Sequence, residues 1–310
     1  MTKIFIDGRE GTTGLRIQQR LENRKNIELL ALPENLRKDP AARQDAINAA
    51  DIAFLCLPDA AAKESAALAG DSVTIIDAST AHRVNPDWAY GFPELSAAHR
   101  AAIAGGKRIA NPGCHASGFI ALAYPLVQAG ILPANYPIAC HSLTGYSGGG
   151  KKMIAEYEGE GRDPELDSPR QYGLTQVHKH LPEMQHVCSL AQPPLFSPIV
   201  ADYYAGMEVT LPLHAKFLSG AFTLKQVHEA MADHYAGQKL VKVLPFGEAP
   251  AFCGSNNLAG RDSMEILVTG NDERILLISR FDNLGKGASG AAIQNMNIAL
   301  GLDETEGLTV

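Results

Sequence analysis

The chain has 310 residues, 45% of them hydrophobic and 20% charged, with a formal net charge of −7. That length supplies a full core and favours two domains over one. The acidic balance argues against a nucleic-acid partner, which calls for a basic surface. No stretch has the apolar length of a membrane span, and Met1-Thr2-Lys3 leads straight into a strand pattern rather than a signal-peptide hydrophobic region, so a cytoplasmic protein is expected.

In chain order, Ile4–Asp7 is a short apolar run and Gly8–Gly14 a glycine-punctuated turn. Leu15–Asn23 reads as a helix with Leu15, Ile17 and Leu21 on its apolar positions, and Ile27–Leu32 as a second strand. Ala41–Ala50 is a helix, Ile52–Leu57 a strand stopped by Pro58, Ala60–Leu68 a helix and Val73–Ile76 a strand. Strands alternating with helices point to parallel strands joined by crossover helices. Beyond Gly118 the texture changes. Strand patterns at Glu208–Leu213 and Ile275–Phe281 flank a helix at Leu224–Tyr235, and Ser289–Leu300 is helical again. An α/β domain followed by an α+β domain with a mainly antiparallel sheet is expected.

The turn Gly8-Arg9-Glu10-Gly11-Thr12-Thr13-Gly14 joins a strand to a helix. Glycines there let backbone approach a pyrophosphate, and the helix-start amides bind its charge. The Gly-x-x-Gly-x-x-Gly spacing is weak alone, and a ligand-free tight turn is the competing reading. Its position between strand and helix favours a dinucleotide. Glu34 stands about 20 residues on, where an NAD ribose partner is sought. Arg37 and Lys38 follow and suit a 2′-phosphate, and Thr12 and Thr13 can donate to phosphate, which tips the balance slightly to NADP(H).

Five cysteines, Cys56, Cys114, Cys140, Cys188 and Cys253, are scattered with no CxxC pair, so no disulfide framework is expected. Asn111-Pro112-Gly113 breaks the strand Arg108–Ala110 just before Cys114, and Ala116–Val127 resembles a buried helix. Cys114 should therefore sit at a helix N-terminus, where amides and dipole lower a thiol pKa and stabilise an oxyanion. Cys56 and Cys140 lie in apolar runs and read as inert. His178-Lys179-His180-Leu181-Pro182-Glu183 supplies a base: Pro182 suits a first helical turn, His180 lies just before it, and Glu183 can orient the imidazole. A metal site of His178, His180, His186 and Cys188 is the rival, but the spacing fits no closed zinc pattern. Arg83, in Asp77–Arg83 after the fourth strand, can hold a phosphate. Ser147-Gly148-Gly149-Gly150-Lys151-Lys152 reads as a flexible loop ending in two cations.

Together these segments, with Leu57-Pro58-Asp59, Tyr90–Leu95 and Asp282–Gly290, resemble the short form of the N-acetyl-gamma-glutamyl-phosphate reductases over nearly the whole chain. The resemblance implies an NADP-binding Rossmann domain (1–117 and 287–310), a glyceraldehyde-phosphate-dehydrogenase-like catalytic domain (118–286), and a homotetramer. It implies reduction of a small-molecule acyl phosphate with release of inorganic phosphate. Cys114 matches the nucleophile, His180 the acid/base and Glu183 its orienting carboxylate. Arg83, Asn111, Ser147 and Lys151 would meet substrate. Gly8, Gly11, Thr12, Thr13, Gly14, Pro58, Ser79, Asn283, Gly285 and Lys286 would meet NADP(H). One departure is His115-Ala116-Ser117, where an aromatic residue, proline and threonine are expected; it bears on substrate contacts. The rivals are reductases of aspartyl or aminoadipyl phosphate, a cysteine hydrolase or acyltransferase, and a dinucleotide sensor.

Overall fold

The computed structural model describes residues 1–310 and divides them into two units, Met1–Gly113 with Ala288–Leu308, and Cys114–Gly287 with Thr309–Val310. The divisions fall after Gly113 and Gly287, against the expected 117 and 286. Cys114 thus opens the second unit.

The first unit contains β1 (Thr2–Asp7), α1 (Thr12–Leu21), β2 (Ile27–Leu30), α2 (Pro40–Asn48), β3 (Ile52–Leu55), α3 (Asp59–Leu68), β4 (Thr74–Asp77), β5 (Ala89–Tyr90), α4 (Ala97–Gly105) and β6 (Arg108–Ala110). Its strands pair in parallel in the order β2-β1-β3-β4-β6-β5. Side chains alternate across the sheet. Ile4, Ile6, Ile52, Phe54, Ile76 and Ile109 bury against Ile17 and Leu21 of α1 and Ile103 of α4. Phe5, Ala53, Leu55 and Ile75 bury against Ala46 and Ile47 of α2 on the other face. Each such Ile or Phe contributes roughly 1.5–3 kcal/mol by leaving water. Leu15 does not take its expected apolar place: it is exposed, and Gly14 joins Ile17 and Leu21 on the buried face of α1.

At the end of β1 the buried Asp7 accepts from Arg43 Nη2 of α2 at 2.9 Å and from Ser65 Oγ of α3 at 2.8 Å. This ties two crossover helices to the strand that feeds the glycine turn. The strand order reverses between β1 and β3, the place where open α/β sheets bind ligands.

The second unit runs through α5 (Cys114–Gln128), β7 (Ala139–Gly145), α6 (Gly150–Glu158), β8 (Arg170–Gln171), α7 (Leu181–Val187), β9 (Leu195–Ala201), β10 (Met207–His214), α8 (Leu224–His234), β11 (Val241–Val243), β12 (Met264–Gly270) and β13 (Arg274–Phe281). Its seven-stranded sheet has the order β11-β12-β13-β10-β7-β9-β8. The sheet is mixed: β7 with β9 and β11 with β12 run parallel, and the other pairs antiparallel. α5 is apolar all round and buried, as a central helix must be. It packs on β10 and β13 at Gly118, where a Cβ would stand 2.4 Å from Val209 Cγ2. The chain then returns to the first unit in α9 (Gly290–Ala299), whose Ile293 and Met296 join the α1 and α4 side of its core. No helix is long and apolar enough to cross a membrane.

Candidate active site

In the first unit, Gly8 has φ +82°, and a Cβ there would lie 2.4 Å from the Cys56 carbonyl oxygen. Gly14 is equally confined, 2.6 Å from the Gly8 carbonyl oxygen, while Gly11 is the N-cap of α1 and donates its amide to Gly8. Thr12, Thr13 and Gly14 form the first helical turn, whose amides have no intrahelical acceptors. Beside them is an open cleft lined by Gly8, Arg9, Glu10, Leu32, Arg37 and Leu57, among others. Arg9 Nε and Arg37 Nη1 converge on the Glu10 carboxylate at 3.3 and 3.1 Å. Glu34 and Lys38 are exposed and line no part of this cleft. The acidic group near the arginines is Glu10, within the turn itself. A glycine cradle that excludes Cβ atoms, opening on a cleft with two guanidinium groups, fits a dinucleotide carrying an extra phosphate.

The other expected contacts in this unit are more engaged than their letters suggest. Pro58 is exposed at the start of α3. Ser79 turns inward, its Oγ donating to Asp77 Oδ2 at 2.7 Å. Asp77 Oδ2 also lies 2.7 Å from His82 Nδ1, and the His82 ring stacks on Trp88. Arg83 is buried; its Nε donates to the Asn111 carbonyl at 2.9 Å and Nη2 to that of Ala78 at 3.0 Å. Asn111 donates from Nδ2 to Ala288 O at 3.0 Å and accepts from Asn295 Nδ2 at 3.1 Å, so both ends of its amide are used within the unit. These bonds clamp the turn that leads to Cys114.

In the second unit Cys114 is the first residue of α5 and partly buried. The other thiols are poor nucleophiles. Burial pushes Cys140 and Cys188 well above the ordinary thiol value. Cys56 is not fully buried as expected, yet burial of its thiol and the carboxylates of Asp77 and Asp7 push it to about 12. Burial and Glu208 push Cys253 to about 11.

His180 is the N-cap of α7 and Glu183 lies buried in its first turn. The His180 ring meets His178 edge-to-face at 4.8 Å and His115 at 5.7 Å. His186 is exposed and Cys188 buried, and no group of three or more His, Cys, Asp or Glu side chains is placed to hold a metal ion.

Ser147 is buried; its Oγ accepts from Asn283 Nδ2 at 3.0 Å, and Asn283 Oδ1 accepts from the Gly206 amide at 2.9 Å. The stretch from Ser147 is no flexible loop: Tyr146–Gly149 forms a 3-10 turn that opens α6, with Lys151 exposed in the first turn of that helix. Gly285 donates its amide to Asp282 Oδ1 at 3.2 Å, and Lys286 is almost wholly buried. Gly285–Ser289 winds as a single π-helical turn, a distortion frequent at functional sites.

Sequence reasoning passed over His115 as a functional residue. It is buried beside Cys114, with Nδ1 2.6 Å from Ser142 Oγ and Nε2 2.6 Å from Tyr172 Oη. Phe196 packs on its ring edge at 5.3 Å. The available signal was an imidazole next to the cysteine at the head of an otherwise apolar helix.

Residues 114–283 match the family described as semialdehyde dehydrogenase, dimerisation domain, and residues 26–103 the semialdehyde dehydrogenase NAD-binding domain. Relatives named N-acetyl-gamma-glutamyl-phosphate reductase, from Sinorhizobium medicae and Chelativorans sp., are 48% and 50% identical over 305 residues. In each case the match covers 96% of this chain and 98% of the relative. The chain belongs to the N-acetyl-gamma-glutamyl-phosphate reductase family. Solved structures of similar fold include aspartate semialdehyde dehydrogenase II from Vibrio cholerae, at TM-score 0.70 and 17% identity over 97% of this chain and 98% of that one. The enzyme from Candida albicans with NADP has TM-score 0.64 and 15% identity over 96% and 98%. At such identities they establish the fold shared by this reductase family and the aspartate semialdehyde dehydrogenases, a Rossmann domain plus a second α+β domain.

Proposed function

We propose that the chain reduces N-acetyl-L-glutamyl 5-phosphate to N-acetyl-L-glutamate 5-semialdehyde with NADPH, releasing inorganic phosphate, as a step in arginine biosynthesis. The observation that carries this reading is Cys114, not fully buried, heading α5 next to His115 of the imidazole cluster, in a chain of this family.

The Cys114 thiolate attacks the acyl carbon, and the α5 first-turn amides stabilise the oxyanion. The carbon–oxygen bond to phosphate breaks, the electron pair leaves with phosphate, and a thioester remains on Cys114. Arg83 answers the charge of the phosphate, and Ser147 and Lys151 contribute to substrate binding. Asn111 contributes by holding the turn before Cys114. The glycine turn, with Thr12 and Thr13, holds the pyrophosphate of NADPH, and Arg9 and Arg37 its 2′-phosphate. Pro58 and Ser79 of the first unit and, separately, Asn283, Gly285 and Lys286 of the second are the further residues we assign to the cofactor. NADPH, when bound, supplies a hydride to the thioester carbon. His180, oriented by Glu183, gives a proton to the resulting oxyanion and takes it back as the carbon–sulfur bond breaks. The bonding pair returns to sulfur, which regenerates the thiolate and frees the aldehyde. A cytoplasmic homotetramer is the form in which we expect the enzyme to act.

Phosphate-dependent reduction of NADP+ by N-acetyl-L-glutamate 5-semialdehyde tests this, with aspartate and aminoadipate semialdehydes run beside it. Turnover with the acetylated substrate alone is expected. Turnover with another semialdehyde alone would overturn the substrate assignment.

A further inference from the structure

We propose that His178 is a positioning residue for His180: its Nδ1 accepts from the His180 main-chain amide and fixes the turn that presents the acid/base at the head of α7. The inference rests on the reading of His180 as the acid/base.

Adjacent hydrogen bonds fix the geometry. The His180 amide donates to His178 Nδ1, 3.2 Å away. The Leu181 amide donates to the His178 carbonyl, and the Met184 amide to the His180 carbonyl, each at 3.0 Å. His178 thus captures the His180 and Leu181 amides with its ring and its carbonyl, as a Ser, Thr or Asn cap would. His180 itself makes no side-chain cap bond, so its imidazole is not engaged in capping α7.

His178 is held in turn from outside the helix. Gln176 donates from Nε2 to the Phe196 carbonyl at 2.8 Å, and its Oε1 accepts from the Phe196 amide at 2.9 Å. That pair ties the segment to β9, and the Phe196 ring packs edge-on against the His178 ring at 5.1 Å. The post that holds His180 is therefore built on the sheet and not on the short helix it caps.

The bond also dictates a protonation state. An Nδ1 that accepts an amide proton carries none, so the hydrogen of the neutral ring sits on Nε2. A protonated His178 would set two donors face to face and lose the bond. Burial, and then the charge of Lys179, hold the His178 pKa below the ordinary histidine value, which keeps the acceptor form through neutral pH. The other titratable groups around the ring are His180 at 4.8 Å, His115 at 5.8 Å and Tyr172 at 6.0 Å. Positive charge on either imidazole acts in the same direction as Lys179.

The test is a substitution series at His178 in the full-length enzyme, assayed by phosphate-dependent reduction of NADP+. Asn places its Oδ1 where His178 has Nδ1, Gln places its Nε2 where His178 has Nε2, and Ala has neither. His178→Ala should lower kcat by about 10-fold, the rate equivalent of one capping bond, with KM for semialdehyde and NADP+ near native. His178→Asn should restore kcat to within about 3-fold of native, Asn being a favoured cap, and His178→Gln should stay with Ala. Asn does not titrate, so the ratio of the His178→Asn kcat to the native kcat should climb as pH falls from about 7 to about 5. Rescue by Gln and not by Asn would overturn the proposal, because the function would then lie at Nε2. A native kcat in His178→Ala, or a raised KM with kcat unchanged, would overturn it as well. Should His178→Ala fail to fold, the comparison of Asn with Gln decides. Failure of the underlying reading is separate: a His180→Asn enzyme that keeps its turnover would dismiss His180 as the acid/base, whatever the His178 series shows.

Discussion

Gly287 lies directly against Cys114: a Cβ on Gly287 would stand 3.0 Å from Cys114 Cβ and 3.1 Å from the Asp282 carbonyl oxygen. The π-helical turn that begins at Gly285 therefore passes the nucleophile with space for a hydrogen and little more. Gly287→Ala should push Cys114 from its place at the head of α5. We expect turnover to fall by roughly 3–10-fold, because the contact asks for a shift of a few tenths of an ångström where a full 1 Å costs about 10²-fold, with circular dichroism unchanged. Near-native turnover would show that the contact yields without consequence.

The glycine turn has a stricter requirement at Gly8 than at Gly11. Gly8→Ala places a side chain at φ +82° and within 2.4 Å of Cys56 O, whereas Gly11 has a φ of −70° and an ordinary neighbourhood. Gly8→Ala should lower stability by about 1–3 kcal/mol and abolish NADPH binding, while Gly11→Ala should fold normally. Thermal unfolding and NADPH fluorescence titration report the two effects.

Arg37 and Arg9 converge on Glu10 at the edge of the cofactor cleft. Arg37→Ala should weaken NADPH by roughly 10–100-fold, the worth of a charge-assisted hydrogen bond, and leave NADH little changed. Glu10→Gln should favour NADPH further by removing a competing carboxylate. Parallel losses for both cofactors in Arg37→Ala would remove the arginine from 2′-phosphate recognition.

His115 makes stability depend on acid. Its pKa stands near 3 in the folded chain, against 6.5 for an ordinary histidine. Below pH 6.5 the unfolded chain takes a proton that the folded chain refuses, so stability falls as pH drops from about 6.5 towards 3. The slope is about 1.4 kcal/mol per pH unit. Urea titrations at pH 7, 6 and 5 should show this loss in the native protein and a shallower one in His115→Gln. Parallel pH dependence in the two proteins would mean that His115 is not the group responsible.

Much of the first unit was legible because its strands and helices are short-range patterns, and the two faces of the sheet follow from alternation such as Ile4, Phe5, Ile6. Strand β10 was legible for the same reason, since every second residue from Met207 to Leu213 is buried. The parallel pairing of β7 with β9 was not, because pairing between distant segments leaves no local trace. Cys114 could be placed at a helix start from Asn111-Pro112-Gly113, yet its surroundings could not. Ser142, Tyr172 and Phe196 come from three separate strands and loops and meet only at His115. Ser147–Lys152 looked flexible because glycines dominate its letters. It is ordered by the Tyr203 and Tyr204 carbonyls, which accept from the Tyr146 and Ser147 amides. Likewise Glu34 had the right spacing for a ribose partner, but it lies outside the cleft that Glu10 lines.

The central claim is that Cys114 carries the acyl group, and the most direct measurement is turnover and NADPH binding in Cys114→Ala. Turnover should fall by about 10⁴-fold or more, the scale seen when a nucleophile is removed, while NADPH binds as in the native protein. Retention of most of the turnover would contradict the covalent scheme and send the search for the reacting group elsewhere in the second unit.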